Sequence, residues 1–205
     1  MKLTLLDNGI DSVKAAYNAL TDIEFNIDEM EHRVKDAVIF LNHANEILFK
    51  LLIKQSSSEA LNFVNINSYM EAKEKMVKQE KNTVFEIDEN LKTIGFFEAI
   101  RRLELICDIE VCSYLKRSLR YLNKKRNEIM HYEIHLTESE FKDIVLKLKR
   151  CQHYTVNFFS MHIEDFNELL QGARFEFPGN DPDVEAMHEE AYLEYLEEQN
   201  QKDFD

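Results

Sequence analysis

Arg126, Asn127 and His131 are the residues whose types and spacing could do chemistry. Asn127 and His131 stand four apart, so on a helix they share a face, whereas Arg126 lies about 140° round from His131 at about 100° per residue. One helix cannot easily aim both at one atom. Two antiparallel copies across a two-fold axis can, because each then contributes to a composite cleft. Such a cleft suits phosphodiester cleavage without a metal. Arg126 would hold the phosphate and stabilise its growing charge, while His131 moves protons near neutral pH.

The surrounding pattern makes these positions unusual. An apolar row runs through Val111, Leu115, Leu119 and Leu122, and the same steps land on Arg126 and then Ile129. An arginine occupies a place where packing asks for leucine. It must therefore meet a carboxylate, line a wet cleft or face an interface that receives an anion. The neighbouring row reads Ser113, Arg117, Arg120, Lys124, Asn127 and His131, a basic stripe ending in an imidazole. With Lys125, the cations Arg117, Arg120 and Lys124 are the candidate nucleic-acid contacts. The structural alternatives are a histidine that caps the last helical carbonyls, an arginine in an internal ion pair, and a basic stripe that is only a solvated face.

The elements that position these residues are helices. Four glycines and two prolines in 205 residues leave too little turn chemistry for a sheet protein, and one core with appendages fits the length. Leu3, Leu6, Ile10, Val13, Tyr17 and Leu20 predict a first helix, closed over residues 22–26. Met30, Val34, Ala37, Leu41, Ala44, Leu48 and Leu51, widened by Val38, Phe40, Ile47 and Leu52, predict a central, heavily buried second helix. After Gln55-Ser56-Ser57-Ser58 the pattern weakens to about Glu89, as expected of peripheral helices and a connection. Thr93 is expected to cap a helix through Phe97, Ile100, Leu103 and Ile106, and a long helix is expected over residues 110–135. Thr137-Glu138-Ser139-Glu140 is a capping box opening a helix with Phe141, Ile144, Leu148, Tyr154 and Phe158, and it dates the end of the preceding helix to just after His131.

Gly172, Pro178-Gly179 and Asp181-Pro182 end the helical domain, expected over residues 1–171. Residues 172–205 form an acidic appendage, in which Val184, Met187, Ala191, Tyr192, Tyr195 and Leu196 predict a short amphipathic helix. The net charge of −14 argues against non-specific nucleic-acid binding by the whole surface, but residues 116–126 are strongly basic and residues 176–205 strongly acidic. No apolar run approaches the length of about 20 needed to span a bilayer, and the N-terminus meets acid early, so a cytoplasmic protein with no membrane partner is expected. Cys107, Cys112 and Cys151 lack CxxC spacing and are expected to be reduced.

Arg126-Asn127-Glu128-Ile129-Met130-His131 resembles the R-x4-6-H signature of HEPN domains, with a polar residue after the arginine. Leu91-Lys92-Thr93-Ile94-Gly95-Phe96-Phe97-Glu98-Ala99-Ile100 looks like the approach to that motif, and Asn42-His43-Ala44-Asn45-Glu46-Ile47-Leu48-Phe49-Lys50 resembles the family's core helix. The likeness spans about residues 1–170. It implies an antiparallel, all-α bundle that dimerises through the motif helices and cuts RNA with no cofactor or metal, leaving a cyclic phosphate. It also implies a toxin or phage-defence setting, with an antitoxin or defence-complex protein as a further partner. In the branch paired with nucleotidyltransferase antitoxins the modified tyrosine lies two residues after the histidine. Here Glu133 occupies that place and Tyr132 comes one residue early.

Three alternatives remain from the residues themselves. Glu29-x-x-His32, Glu128-x-x-His131 and Glu185-x-x-His188 have the spacing of di-metal helical bundles. His131 and His135 have the spacing of a helical zinc pair. A scaffold of the same fold could bind nucleotide or a partner without cutting anything.

Overall fold

Thr4 opens the chain's first helix by a reciprocal cap: its hydroxyl accepts the Asp7 N–H at 3.1 Å, and the Asp7 carboxylate accepts the Thr4 N–H at 3.0 Å. The structure is a computed structural model describing residues 3–25, 30–132 and 135–174. The helices are α1 (Leu5–Phe25), α2 (Met30–Ser56), α3 (Ile66–Lys78), α4 (Phe96–Ile106), α5 (Ser113–His131), α6 (Glu138–His162) and α7 (Phe166–Gly172). Single 3₁₀ turns occupy Glu59–Asn62 and Val84–Glu86. Among the described residues there is no β-strand, only an isolated antiparallel bridge between Phe63 and Thr93, so the protein is all-α. No helix among them is long and apolar enough to cross a membrane.

The broad apolar stripe of α2 has the consequence its width requires. The helix packs against α1, α4, α5 and α6, and Leu41, Leu48, Phe49 and Ile53 are fully buried. Phe49 is the hinge of the aromatic core, its ring centroid 5.9 Å from Phe96, 5.7 Å from Phe158 and 5.2 Å from Phe159. A buried polar pair locks α6 to α2: Thr155 donates to Asn45 Oδ1 at 3.1 Å while Asn45 Nδ2 donates to the Leu41 carbonyl at 2.8 Å. Leaving either amide end unpaired there would cost about 1–3 kcal/mol, so the register of the two helices is well specified.

Several boundaries differ from the sequence expectations. Residues 22–25 continue α1, and Asp22 pairs with Arg33 at 3.2 Å. Thr93 caps nothing. It is drawn into the bridge to Phe63, and its hydroxyl accepts from Lys50 Nζ at 3.1 Å, so α4 starts three residues later behind Gly95. Arg102 fixes the same segment by donating to the Leu61 and Phe63 carbonyls at 2.6 and 3.0 Å. Helix α5 runs Ser113–His131, starting three residues later than expected and ending where the Thr137 capping box dated it, short of residue 135. The short α7, which seals Phe166 into the core behind a left-handed Asp165, was not anticipated. Between residues 55 and 89 the elements are short and peripheral, as expected, around a small cluster of Phe63, Tyr69, Ala72 and Val84. The amphipathic helix expected in the acidic appendage lies outside the described residues.

Helices α1 and α2 approach most closely at Gly9, where a Cβ would come within 2.6 Å of Leu48 Cγ. Gly9→Ala should therefore destabilise the protein by about 1–3 kcal/mol in urea unfolding, as overpacking does. Gly95→Ala, where nothing lies within 4 Å, serves as the neutral control. Equal stabilities for the two variants would contradict this close approach.

Candidate nucleic-acid cleavage site

Helix α5 is held at both ends before it presents any chemistry. Glu104 of α4 accepts from the Val111 N–H at 3.2 Å and from Lys116 Nζ at 2.8 Å, which ties the start of α5 to the preceding helix. At the other end Tyr132 turns extended and its N–H reaches the Glu128 carbonyl at 2.9 Å. The capping box then starts α6. Thr137 Oγ1 accepts the Glu140 N–H at 3.3 Å, and Glu140 accepts the Thr137 N–H at 2.9 Å. His131 is the last residue of its helix.

Leu115, Leu119 and Leu122 are fully buried against α2 and α6, and Ile129 is half-buried on the same row. Arg126 sits between them, half-buried. Its Nη1 donates to Asn127 Oδ1 at 3.2 Å, and no carboxylate among the described residues pairs with it. The internal ion pair weighed from the sequence is absent there. One turn earlier, Asn42 of α2 donates to Asn123 Oδ1 at 3.4 Å, a polar seam beside the arginine within an otherwise apolar contact.

Ser113, Arg117, Arg120, Lys124, Asn127 and His131 are all exposed, so the expected basic stripe is a solvent face. His131 makes no hydrogen bond or ion pair among the described residues, and in particular caps no helical carbonyl. Arg117 and Arg120 are similarly unpartnered there. Lys124 and Lys125 differ, because both engage Glu128, at 3.8 and 2.7 Å. The hydrogen bond from Lys125 is the main reason the Glu128 carboxyl is held below its ordinary range. Lys125 also lies 6.0 Å from the ring centroid of Tyr121, one turn earlier on α5, whereas Lys124 stays on the stripe. Burial, then the Asp143 and Glu128 carboxylates, push the Tyr121 hydroxyl up to about 12, so it remains protonated.

The chain thus brings Arg126 and Asn127 into contact but does not bring Arg126 to His131 within one subunit. The metal alternatives fare poorly on geometry. Glu128 is committed to two lysines, and no group of three or more His, Cys, Asp or Glu side chains assembles among the described residues. Glu29, Glu185 and His188 lie outside those residues, as does Glu133. His131 and His135 do not share a helix, so their four-residue spacing does not make a helical zinc pair. The cysteines are dispersed, Cys151 buried, Cys107 half-buried and Cys112 exposed.

One feature escaped the sequence. A groove of about 600 Å³ opens where the start of α2, the end of α5 and the start of α6 converge, lined by Met30, Val34, Ile129, Tyr132, Phe141 and Ile144. His32, Lys35, His135 and Glu138 add polar groups. No local pattern could have announced it, since its walls come from three separated segments. No family model, curated protein or solved structure matches the chain.

The carboxyls of Glu128 and Glu140 are both held low, the second chiefly by the Thr137 backbone N–H. A depressed carboxyl contributes stability that is present above its unfolded pKa and is lost as pH falls through the folded one. Melting temperature should therefore drop on acidification from about pH 6 to about pH 3, and Glu140→Gln should flatten that drop. An acid profile unchanged by the substitution would contradict the role given to the cap.

Proposed function

We propose that the chain is an RNA endonuclease working without a metal, with a composite site formed when two copies place their α5 helices antiparallel. The observation that carries it is the state of two residues on one helical turn. Arg126 is half-buried on an apolar row without a carboxylate among the described residues, and His131 is exposed and unpartnered there. A guanidinium left in that position needs an anion, and a phosphate diester supplies one. The resemblance of Arg126-Asn127-Glu128-Ile129-Met130-His131 to the HEPN signature points the same way, as does the all-α fold.

The reaction consistent with these groups uses the RNA's own 2′-hydroxyl. As the 2′-hydroxyl gives up its proton its oxygen attacks the adjacent phosphorus, the P–O5′ bond breaks, a 2′,3′-cyclic phosphate forms and the departing 5′-oxygen takes up a proton. His131 manages protons, a role for which imidazole is suited near neutral pH. Arg126 of the facing subunit stabilises the charge on the non-bridging oxygens. Asn127 steadies that guanidinium through the hydrogen bond at 3.2 Å. Arg117, Arg120, Lys124 and Lys125 attract the strand, with the last two partly neutralised by Glu128. A toxin or phage-defence setting, with a protein partner that restrains the activity, follows from the family resemblance alone.

One observation favours a second reading. Within a single subunit Arg126 and His131 do not meet, so a chain that never pairs through α5 would be a binding scaffold and not a nuclease.

Purified protein in excess chelator should cleave RNA to products ending in cyclic phosphate. His131→Ala should lower the rate by about 100-fold or more, and Arg126→Ala by a similar factor, with the dimer retained in light scattering. Intact RNA after incubation with wild-type dimer, or undiminished cleavage by His131→Ala, would overturn the proposal.

A further inference from the structure

Helices α5 and α6 run antiparallel, since Tyr114 at the start of α5 lies against Tyr154 late in α6, and Tyr121 farther along meets Lys147 nearer the start of α6. Along this seam aromatic rings and cations alternate. Tyr114 is 64% exposed, and its ring lies 6.3 Å from that of Tyr154 with 30° between their planes. Seven residues on, about 10 Å along the axis, Tyr121 carries Lys147 Nζ 4.8 Å from its centroid. Arg117 follows Tyr114 by one turn, and Arg150 precedes Tyr154 by one turn. Both arginines are exposed and unpartnered among the described residues.

The charge of the seam runs against that of the molecule. Lys125 pairs with Glu128 and Lys147 with Asp143, which leaves Arg117 and Arg150 as uncompensated cations among the described residues here, on a chain whose net charge is −14. A polyanion is the complementary occupant. Cations alone would suit any acidic partner, but projecting ring faces between them suit one whose flat groups are free to stack, which is the signature of single-stranded nucleic acid surfaces. A duplex keeps its bases paired and offers the rings nothing.

We infer that the α5/α6 seam is a track for single-stranded RNA, in which Tyr114 and Tyr154 stack bases while Arg117 and Arg150 hold phosphates. The track rests on the ribonuclease proposal for the choice of RNA. It deepens that proposal by assigning single-stranded substrate and residues of α6 beyond the motif helix. Arg117 also belongs to the exposed row that continues through Lys124 to Asn127 and His131, so a strand on the track is led toward the proposed cleavage site.

The test uses the full chain carrying His131→Ala, with a labelled oligouridine of about twelve nucleotides, binding read by fluorescence anisotropy over about 50–200 mM salt. Adding Tyr114→Ala should weaken binding about ten-fold, whereas Tyr114→Phe should bind within about two-fold of the parent. Arg150→Ala should reduce the slope of log affinity against log salt by about 0.7. Both positions are exposed, and an unchanged thermal melt confirms folding. Binding unaffected by Tyr114→Ala, equal affinity for duplex RNA, or polyglutamate bound with the same dependence on Tyr114 would each overturn the track. Cleavage is measured separately on protein with His131 intact. Loss of binding in the seam variants without any wild-type cleavage would sink the nuclease and keep the track. Wild-type binding and cutting by Tyr114→Ala and Arg150→Ala would do the reverse.

Discussion

An α-helix turns through about 100° at each residue, and on α5 that constraint decides what the rest of the molecule can do. Leu115, Leu119 and Leu122 commit one side of the helix to the core, which places Arg126 on the buried side and His131 on the solvent side. No rotamer of either chain changes which side its Cα occupies. The chemistry suggested by an arginine and a histidine five residues apart therefore cannot be completed by folding alone. It requires a second surface, and the proposal of a two-fold pairing of α5 helices is the simplest way to supply one from the same sequence.

The remainder of the fold serves to hold α5 still. Helix α2 supplies the broad apolar wall, the Asn45–Thr155 pair sets α6 against it, and Glu104 ties the start of α5 to α4. The same arrangement sets the α5/α6 seam, whose tyrosines stand on two helices locked in register. The proposed cleavage face and the proposed strand track thus share helix α5.

Much of this was legible in the sequence, and the reasons are local. The width of the α2 stripe required burial on several sides, and the capping box at Thr137 placed the end of α5 at His131, because both signals are written within a few residues of the feature they specify. The solvent face of Arg117, Arg120, Lys124, Asn127 and His131 followed from periodicity alone. What failed depended on distant partners. Thr93 has a capping residue's chemistry, yet Phe63 and Lys50 claim it, and both are remote in sequence. Gly9 gives no sign in its own neighbourhood that Leu48 will press against it. Lys125 looked equivalent to Lys124, yet it is half-buried between Glu128 and Tyr121 of its own helix. The groove between α2, α5 and α6 has no sequence signature at all.

Whether the two halves of the site come from different subunits can be asked directly by mixing inactive proteins. If each cleft takes Arg126 from one subunit and His131 from the other, co-refolded Arg126→Ala and His131→Ala chains form heterodimers with one intact cleft, and RNA cleavage returns to about a quarter of the wild-type rate for a statistical mixture. If both residues act from the same chain, every cleft in the mixture lacks one of them. A mixture as inactive as its parents, with heterodimers demonstrably present, would contradict the account.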